Sequence, residues 1–475
     1  MADQEGGGTA KSGWSLGGLL NYATQTVNSV MGYDELSVVD PNSQSAGSGK
    51  DVHATTKLEE DRKQAFKSYK DYLGKDITSL VILPVWIMQP FTMLQNMAEI
   101  MEYTEALDKA AVTEDPYERL AWVVGYTMGP FGAIERPWKP FNPILGETFE
   151  YHKPSTGIKY LVEQVSHHPP IGAGHAESPL WTYDLVSAPK TKFLGNSVEV
   201  YPIGRTRIRL KTTDEVFSLV PPTSKANNVI LGSTWVDTYG DYKLLNVTTG
   251  ARAHMVYKEC GWFGSGRYEA SAVDGWGRVL VIDGYIYRED GTKAYILEGK
   301  WNEYLDAARC DEAGEMLPDA EILHLWKCKD KPENDPYAFT HFAHELNSAN
   351  GLSPLPSDSR RRPDRALLEA GQSSEAAVAK YNLEEMQRKE RREREERGEV
   401  WAPRWFRPLG PDAEVLQDEY DNEQCAQYEF TGDLAALEGP RTPEEVPEDS
   451  VCGKGFVPWT YPEIHDNLGK EAERQ

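Results

Sequence analysis

Residues 163–170 read Glu163-Gln164-Val165-Ser166-His167-His168-Pro169-Pro170. Their order constrains the backbone before any fold is considered. Pro169 pushes His168 out of the helical region toward extended geometry. Pro170 fixes its own φ and removes a further backbone donor. The preceding Tyr160-Leu161-Val162-Glu163-Gln164-Val165 is rich in aromatic and β-branched residues and reads as a strand. The histidine pair is therefore expected at a strand end, on stiff non-helical backbone, with two imidazoles able to aim at one ligand.

Around this point the pattern is mainly β. From about residue 145 to 330 short strand-like runs recur. Residues 198–201 and 205–210 flank the turn Pro202-Ile203-Gly204. Residues 279–287 lead through Asp290-Gly291, a strong hairpin turn, into residues 295–301. Serial hairpins with close turns indicate a meandering sheet or barrel rather than βαβ units. Helical character lies on either side. Residues 91–112 place Phe91, Leu94, Met97, Ala98 and Met101 on one face, and residues 376–398 read as a long charged helix stopping at Gly398. Trp401, Trp405 and Phe406 are expected to dock the end of the domain.

Three stretches together resemble one family. Glu163 to Pro170 is similar to the signature of the oxysterol-binding protein-related lipid-transfer proteins. Lys139-Pro140-Phe141-Asn142-Pro143-Ile144-Leu145-Gly146-Glu147-Thr148 resembles its second motif, and Leu383-Glu384-Glu385-Met386-Gln387-Arg388 a third. Ser357 to Arg365 also resembles a family segment. The resemblance covers roughly residues 77–406 and points to compact, plant-type members without a pleckstrin-homology domain. It implies a large, incomplete antiparallel β-barrel enclosing a lipid tunnel, with an N-terminal lid and a C-terminal helical region.

The resemblance also implies ligands and site residues. Phosphatidylinositol 4-phosphate is expected at the tunnel mouth, with His167 and His168 on the 4-phosphate. Lys139 and Asn142 match the residues that hold phosphate oxygens and ring hydroxyls, and Lys380, Glu384 and Arg388 match a Lys-x-x-x-Glu-x-x-x-Arg arrangement. That spacing puts all three on one helix face, where a solvated face of i,i+4 pairs is the ordinary outcome; the motif match favours a ligand role instead. Glu390 through Arg397 read as solvated surface. Phosphate beside two imidazoles favours their charged form, so affinity is expected to weaken above neutral pH. The second lipid is sterol or phosphatidylserine, exchanged between membranes against the phosphoinositide. A lipid sensor or scaffold acting through an unidentified protein partner is the alternative.

Three regions are expected: residues 1–57, residues 58–406 as the lipid-binding domain, and an acidic tail, 407–475, of unassigned role. Within the first, residues 13–33 form an uncharged amphipathic stretch. Trp14, Leu16, Leu19, Leu20, Val27, Val30 and Met31 mark a lid or membrane-sensing helix, or else a helix packed permanently on the core.

The net charge of −25 argues against nucleic acid and against a general grip on anionic bilayers, leaving transient membrane contact. Five cysteines without a CxxC pair suggest reduced thiols. The run from Leu80 to Met101 is too interrupted to span a bilayer, so a cytoplasmic, peripheral protein is expected. Adjacent histidines can bind metal, and His152 and His175 are near in sequence, but no recognised ligand spacing links them. No nucleophile elbow is present either. No metal, cofactor or catalytic residue is assigned.

Overall fold

The computed structural model describes residues 85–229, 234–260, 281–348, 355–409, 427–432 and 434. The amphipathic stretch carrying Trp14, Leu16, Leu19, Leu20, Val27, Val30 and Met31 lies outside them.

The described chain opens with a 3-10 turn over Val85–Ile87, followed by β1 (Met88–Thr92) and helices α1 (Met93–Ala98), α2 (Glu105–Val112), α3 (Pro116–Thr127) and α4 (Gly129–Ile134). The helix expected over 91–112 is thus divided. Pro90 and Thr92 lie in extended chain, and the Thr92 and Gln95 side chains form a capping box that starts α1. A 3-10 stretch over Glu99–Tyr103 separates α1 from α2. Asp115 caps α3, accepting from the amides of Tyr117 and Glu118, with Pro116 in its first turn.

Strands dominate the middle of the chain: β2 (Lys139–Phe141), β3 (Thr148–Lys153), β4 (Ile158–His167), β5 (Pro170–Glu177), β6 (Trp181–Ser187), β7 (Lys190–Phe193), β8 (Ser197–Tyr201) and β9 (Gly204–Leu210). Then come β10 (Glu215–Val220), β11 (Thr223–Asn227), β12 (Trp235–Asn246), β13 (Arg252–Tyr257), β14 (Val281–Tyr287), β15 (Lys293–Lys300), β16 (Tyr304–Arg309) and β17 (Leu323–Lys327). The described residues close with α5 (His341–Asn347), α6 (Pro363–Glu369), α7 (Ser373–Glu396), β18 (Phe406–Pro408) and β19 (Tyr428–Phe430).

One sheet takes fifteen of these strands, with the path β17-β16-β15-β14-β13-β12-β10-β9-β6-β5-β4-β3. Successive neighbours on the path are antiparallel. Among the described residues β3 and β17 are not paired with each other, so the barrel is incomplete. Helices lie at both ends of the path: α1 packs on β3 and β4, and α3 on β13, β14, β15 and β17. No described helix is long and apolar enough to cross a membrane.

The expected strands at 198–201 and 205–210 form, but not as partners. β8 pairs with β7 and β11, in an extension carried on the first half of β12, while β9 pairs with β6 and β10. Gly204 marks the divergence. Its φ is +133°, and a Cβ there would lie 1.9 Å from the Val186 carbonyl oxygen, so only glycine lets the chain run this close to β6.

Alternate residues of the strands enter one buried cluster with α3: Tyr160 and Val162, Trp181 and Tyr183, Ile208 and Leu210, Phe217 and Leu219, Tyr242 and Leu244. This period of two is what a sheet with one apolar face requires. A second cluster covers the other face of β4 and β5. There Leu161, Val165, Ile171 and Ala173 meet Trp405, Phe406 and Leu434. The first few tail residues described beyond 406 therefore pack on the domain.

Candidate functional site

The signature octapeptide forms the end of the β4–β5 hairpin. His167 pairs with Pro170, leaving His168 and Pro169 as the two turn residues, joined by a cis peptide bond. The register shifts between Gln164 and Ser166. The two imidazoles stand edge to face, with centroids 4.8 Å apart. The expectation of a strand end with both rings on stiff backbone is met.

His167 is hydrogen-bonded to the Pro143 carbonyl. Its Nδ1 is buried without a hydrogen-bond partner among the described residues, leaving one ring nitrogen for a ligand. Burial and the neighbouring His168 push its pKa down to about 4. Burial, Arg391 and Arg388 also lower that of His168.

Lys139 lies on β2, which pairs in parallel with β1, Met88 opposite Lys139. Its Nζ donates to Asn142 Oδ1 at 2.6 Å and to the Pro140 carbonyl at 3.0 Å. Burial, with Lys380 and Arg362 adding like charge against Glu384, pushes its pKa down to about 7. On α7, Lys380 Nζ bonds Glu384 Oε1 at 2.6 Å, and Arg388 Nη2 stands 3.6 Å from Glu384 Oε2. That second oxygen is buried and accepts no hydrogen bond among the described residues. Arg388 Nη1 meets Glu385 Oε1 at 2.5 Å. Lys139 senses α7 through Lys380 and Glu384, and His168 senses it through Arg388. The structure thus brings the seven residues Lys139, Asn142, His167, His168, Lys380, Glu384 and Arg388 to one end of the barrel.

A buried ionic frame supports the loop between Asn142 and Glu147. Gly146 takes φ +78°, and its amide donates to the Gln164 carbonyl at 2.9 Å, tying the loop to β4. Glu147 accepts from the Ile144 amide (2.8 Å), Ser359 Oγ (2.6 Å) and Arg362 Nη1 (3.0 Å). Arg362 Nη1 also reaches the Asn142 carbonyl at 2.6 Å, and the same guanidinium pairs with Asp364 at 2.7 and 3.0 Å. Burial opposes the charge on Arg362, yet Asp364 and Glu147 together raise its pKa. The Ser357–Arg365 segment, read from sequence only as a resemblance, is this frame.

Glu163 faces the other way. Its carboxylate accepts from the amides of Arg404 and Trp405, and burial pushes its pKa up to about 7. His175, set aside as a metal candidate, stacks on Phe430 at 4.4 Å and bonds Asp184 and Glu177.

Residues 64–434 match the family model described as oxysterol-binding protein. The chain belongs to the oxysterol-binding protein family. It is 41% identical over 454 residues to oxysterol-binding protein-related protein 3B of Arabidopsis thaliana, covering 95% of this chain and 94% of that one. Among solved structures, the Osh1 ORD domain in complex with cholesterol has a TM-score of 0.66 at 31% identity, over 78% of this chain and 86% of that one. The Osh3 ORD in complex with PI(4)P from Saccharomyces cerevisiae has a TM-score of 0.60 at 26% identity, over 82% and 92%. The open antiparallel barrel of this chain is thus the fold of the oxysterol-binding family.

Two further features have no clear sequence signal. The hydroxyls of Tyr126 and Tyr160 are buried without hydrogen-bond partners among the described residues. Tyr183 meets the Tyr126 ring edge-on at 5.9 Å. A separate cavity of 350 Å³ between α2, α3 and β17, lined by Tyr103, Lys109, Trp122 and Trp326 among others, shares no residue with the histidine site.

Proposed function

We propose that this protein transfers lipids, binding phosphatidylinositol 4-phosphate by its head group at the β4–β5 end and a second lipid, sterol first, inside the barrel. The two would exchange between membranes. The observation that carries the reading is the convergence of Lys139, Lys380 and Arg388 with two imidazoles at the end of an apolar barrel. His167 and His168 take the 4-phosphate; Lys139, Lys380 and Arg388 make charge-assisted bonds to phosphate oxygens. Asn142 holds phosphate or ring hydroxyls, and the unoccupied Glu384 Oε2 accepts from an inositol hydroxyl. The Tyr126 and Tyr160 hydroxyls offer partners for the single hydroxyl of a sterol, which an otherwise apolar interior would leave unpaired.

The energetic need is plain. Each CH2 moved from bilayer to water costs about 0.8 kcal/mol, so a lipid of two dozen carbons costs on the order of 20 kcal/mol unless an apolar cavity replaces the bilayer. Residues 13–33 are proposed as the cover. With a net charge of −25, contact with anionic membranes would be local and brief, in keeping with a cytosolic carrier. The resemblance to structures solved with cholesterol and with PI(4)P supports both ligands.

The test is extraction of the phosphoinositide and of labelled sterol from liposomes, singly and in competition. Mutual displacement is expected. His167→Ala with His168→Ala should abolish phosphoinositide extraction and spare sterol. If the phosphoinositide alone is extracted, phosphatidylserine becomes the second lipid to try; if neither leaves the membrane, the transfer reading fails.

A further inference from the structure

The last turns of α7 carry a cation that the motif spacing does not include. At 100° per residue, Arg391 lies eleven positions and about 20° around the helix from Lys380, while Arg388 lies about 80° from it. Lys380, Glu384 and Arg391 therefore form the straighter row. Arg391 is only loosely engaged: its Nε stands 3.7 Å from Glu395 Oε1, beyond hydrogen-bonding distance, and the side chain is 46% exposed. Its neighbours differ. Arg388 is held by Glu384 and Glu385, and Arg394 Nη2 pairs with Glu390 at 2.8 Å beside the Trp401 ring. The charge of Arg391 reaches both imidazoles and is the leading charge acting on His168.

We infer that Arg391 is a further ligand of the phosphomonoester bound at His167 and His168, and so a determinant of selection for a 4-phosphorylated inositol lipid over the unphosphorylated one. The inference rests on the head-group reading above. Sequence spacing assigns Arg391 to a solvated face; its place on the helix and its loose ion pair assign it to the site. A phosphomonoester adds a second negative charge and an extra terminal oxygen relative to a phosphodiester. A guanidinium can engage two of its oxygens at once. His168, at the turn, and Arg391, one turn beyond Arg388, would bracket that added charge from opposite elements.

Arg391→Ala, Arg391→Lys and Arg392→Ala are compared with the full chain in extraction from liposomes containing phosphatidylinositol 4-phosphate, unphosphorylated phosphatidylinositol, or sterol. Arg392 is the control: exposed, on the same turn, and about 100° away around the helix. Arg391→Ala should lose about tenfold in capture of the 4-phosphorylated lipid, the scale of one charge-assisted bond. Sterol and unphosphorylated lipid should be unchanged, and lysine should restore part of the loss. Equal losses in the Arg391→Ala and Arg392→Ala variants would reduce the effect to net charge and overturn the inference. So would a loss of sedimentation with phosphatidylserine liposomes matching the loss of capture, which would make Arg391 a bilayer contact. An unaffected Arg391→Ala beside an inactive double histidine variant would overturn the inference and leave the head-group reading standing. Failure of the unmodified chain to extract would overturn both.

Discussion

The amide of Trp405 donates to Glu163 Oε2 at 2.9 Å across 242 residues of chain. With the Arg404 amide beside it, this bond fastens the C-terminal segment to the outer side of the strand whose end carries the histidine pair. The acid of the signature octapeptide thus ties β4 to the C-terminal segment, while its imidazoles stand at the candidate site.

A first prediction follows from the environment of Glu163. Its folded pKa is raised from the usual carboxylate value to about 7. Between pH 4.5 and 7 the folded state therefore holds a proton that the unfolded chain releases, so this group's contribution falls as pH rises through that window. The upper bound is on the order of 3 kcal/mol. Glu163→Gln should remove that slope from thermal-unfolding curves recorded at pH 5 and pH 7.5. Glu102, also pushed up to about 7 by burial and Glu99, leaves a residual slope of the same sign, so the comparison is between variant and parent. Parallel curves would show that Glu163 is not the titrating group.

Much of the candidate site's arrangement was legible because its signals are local. Two prolines after two histidines dictate a stiff turn, and Lys380, Glu384 and Arg388 share a helix face by arithmetic. Asp290-Gly291 announces its own hairpin. The rest depends on distant partners. Nothing near Glu163 names Arg404 and Trp405, and nothing near Pro202 says that β8 will pair with β7 and β11 rather than with β9. Arg391 sits among alternating charges whose usual outcome is a solvated face, and only the reach of its charge to His167 and His168 sets it apart from them.

Ligand capture should depend on pH in a way the imidazoles alone do not determine. Burial and His168 hold His167 neutral down to about pH 4. Lys139, pushed down to about 7, titrates near neutrality. A bound phosphate raises its pKa, so between about 7 and the bound-state value the complex holds more protons than the free site, and affinity falls as pH rises. The weakening expected above neutrality is thereby assigned to Lys139. Titrations from pH 6.5 to 9 should show it in the parent and a flatter profile in Lys139→Met. An unchanged slope in that variant would return the effect to the histidines.

Arg362 should matter for folding before it matters for binding. Its guanidinium neutralises Glu147 and Asp364, both fully buried. Removing one partner of such a network leaves uncompensated buried charge and costs about 3–5 kcal/mol. Arg362→Ala should lower the denaturation midpoint and, by freeing the 142–147 loop, weaken phosphoinositide extraction with it. Arg362→Lys should rescue little, because an ammonium cannot span two carboxylates and the Asn142 carbonyl in one plane. Near-parental stability of the lysine variant would show that charge alone, without fork geometry, suffices.

The two tyrosine hydroxyls inside the barrel give the clearest separation of stability from function. Each is buried and unpartnered among the described residues, a state that costs about 1–3 kcal/mol relative to a satisfied group. Removing an unsatisfied hydroxyl without changing the ring should not destabilise the protein. Tyr126→Phe and Tyr160→Phe should therefore unfold at or above the parental temperature, an outcome opposite to that of most buried substitutions. If these hydroxyls meet the polar end of the second lipid, the same variants should lose sterol extraction several-fold, with phosphoinositide capture unchanged because its head group is held elsewhere. Greater stability with undiminished sterol extraction in the double variant would place the sterol hydroxyl away from this pair. Reduced stability would mean that the hydroxyls are already satisfied in the folded protein.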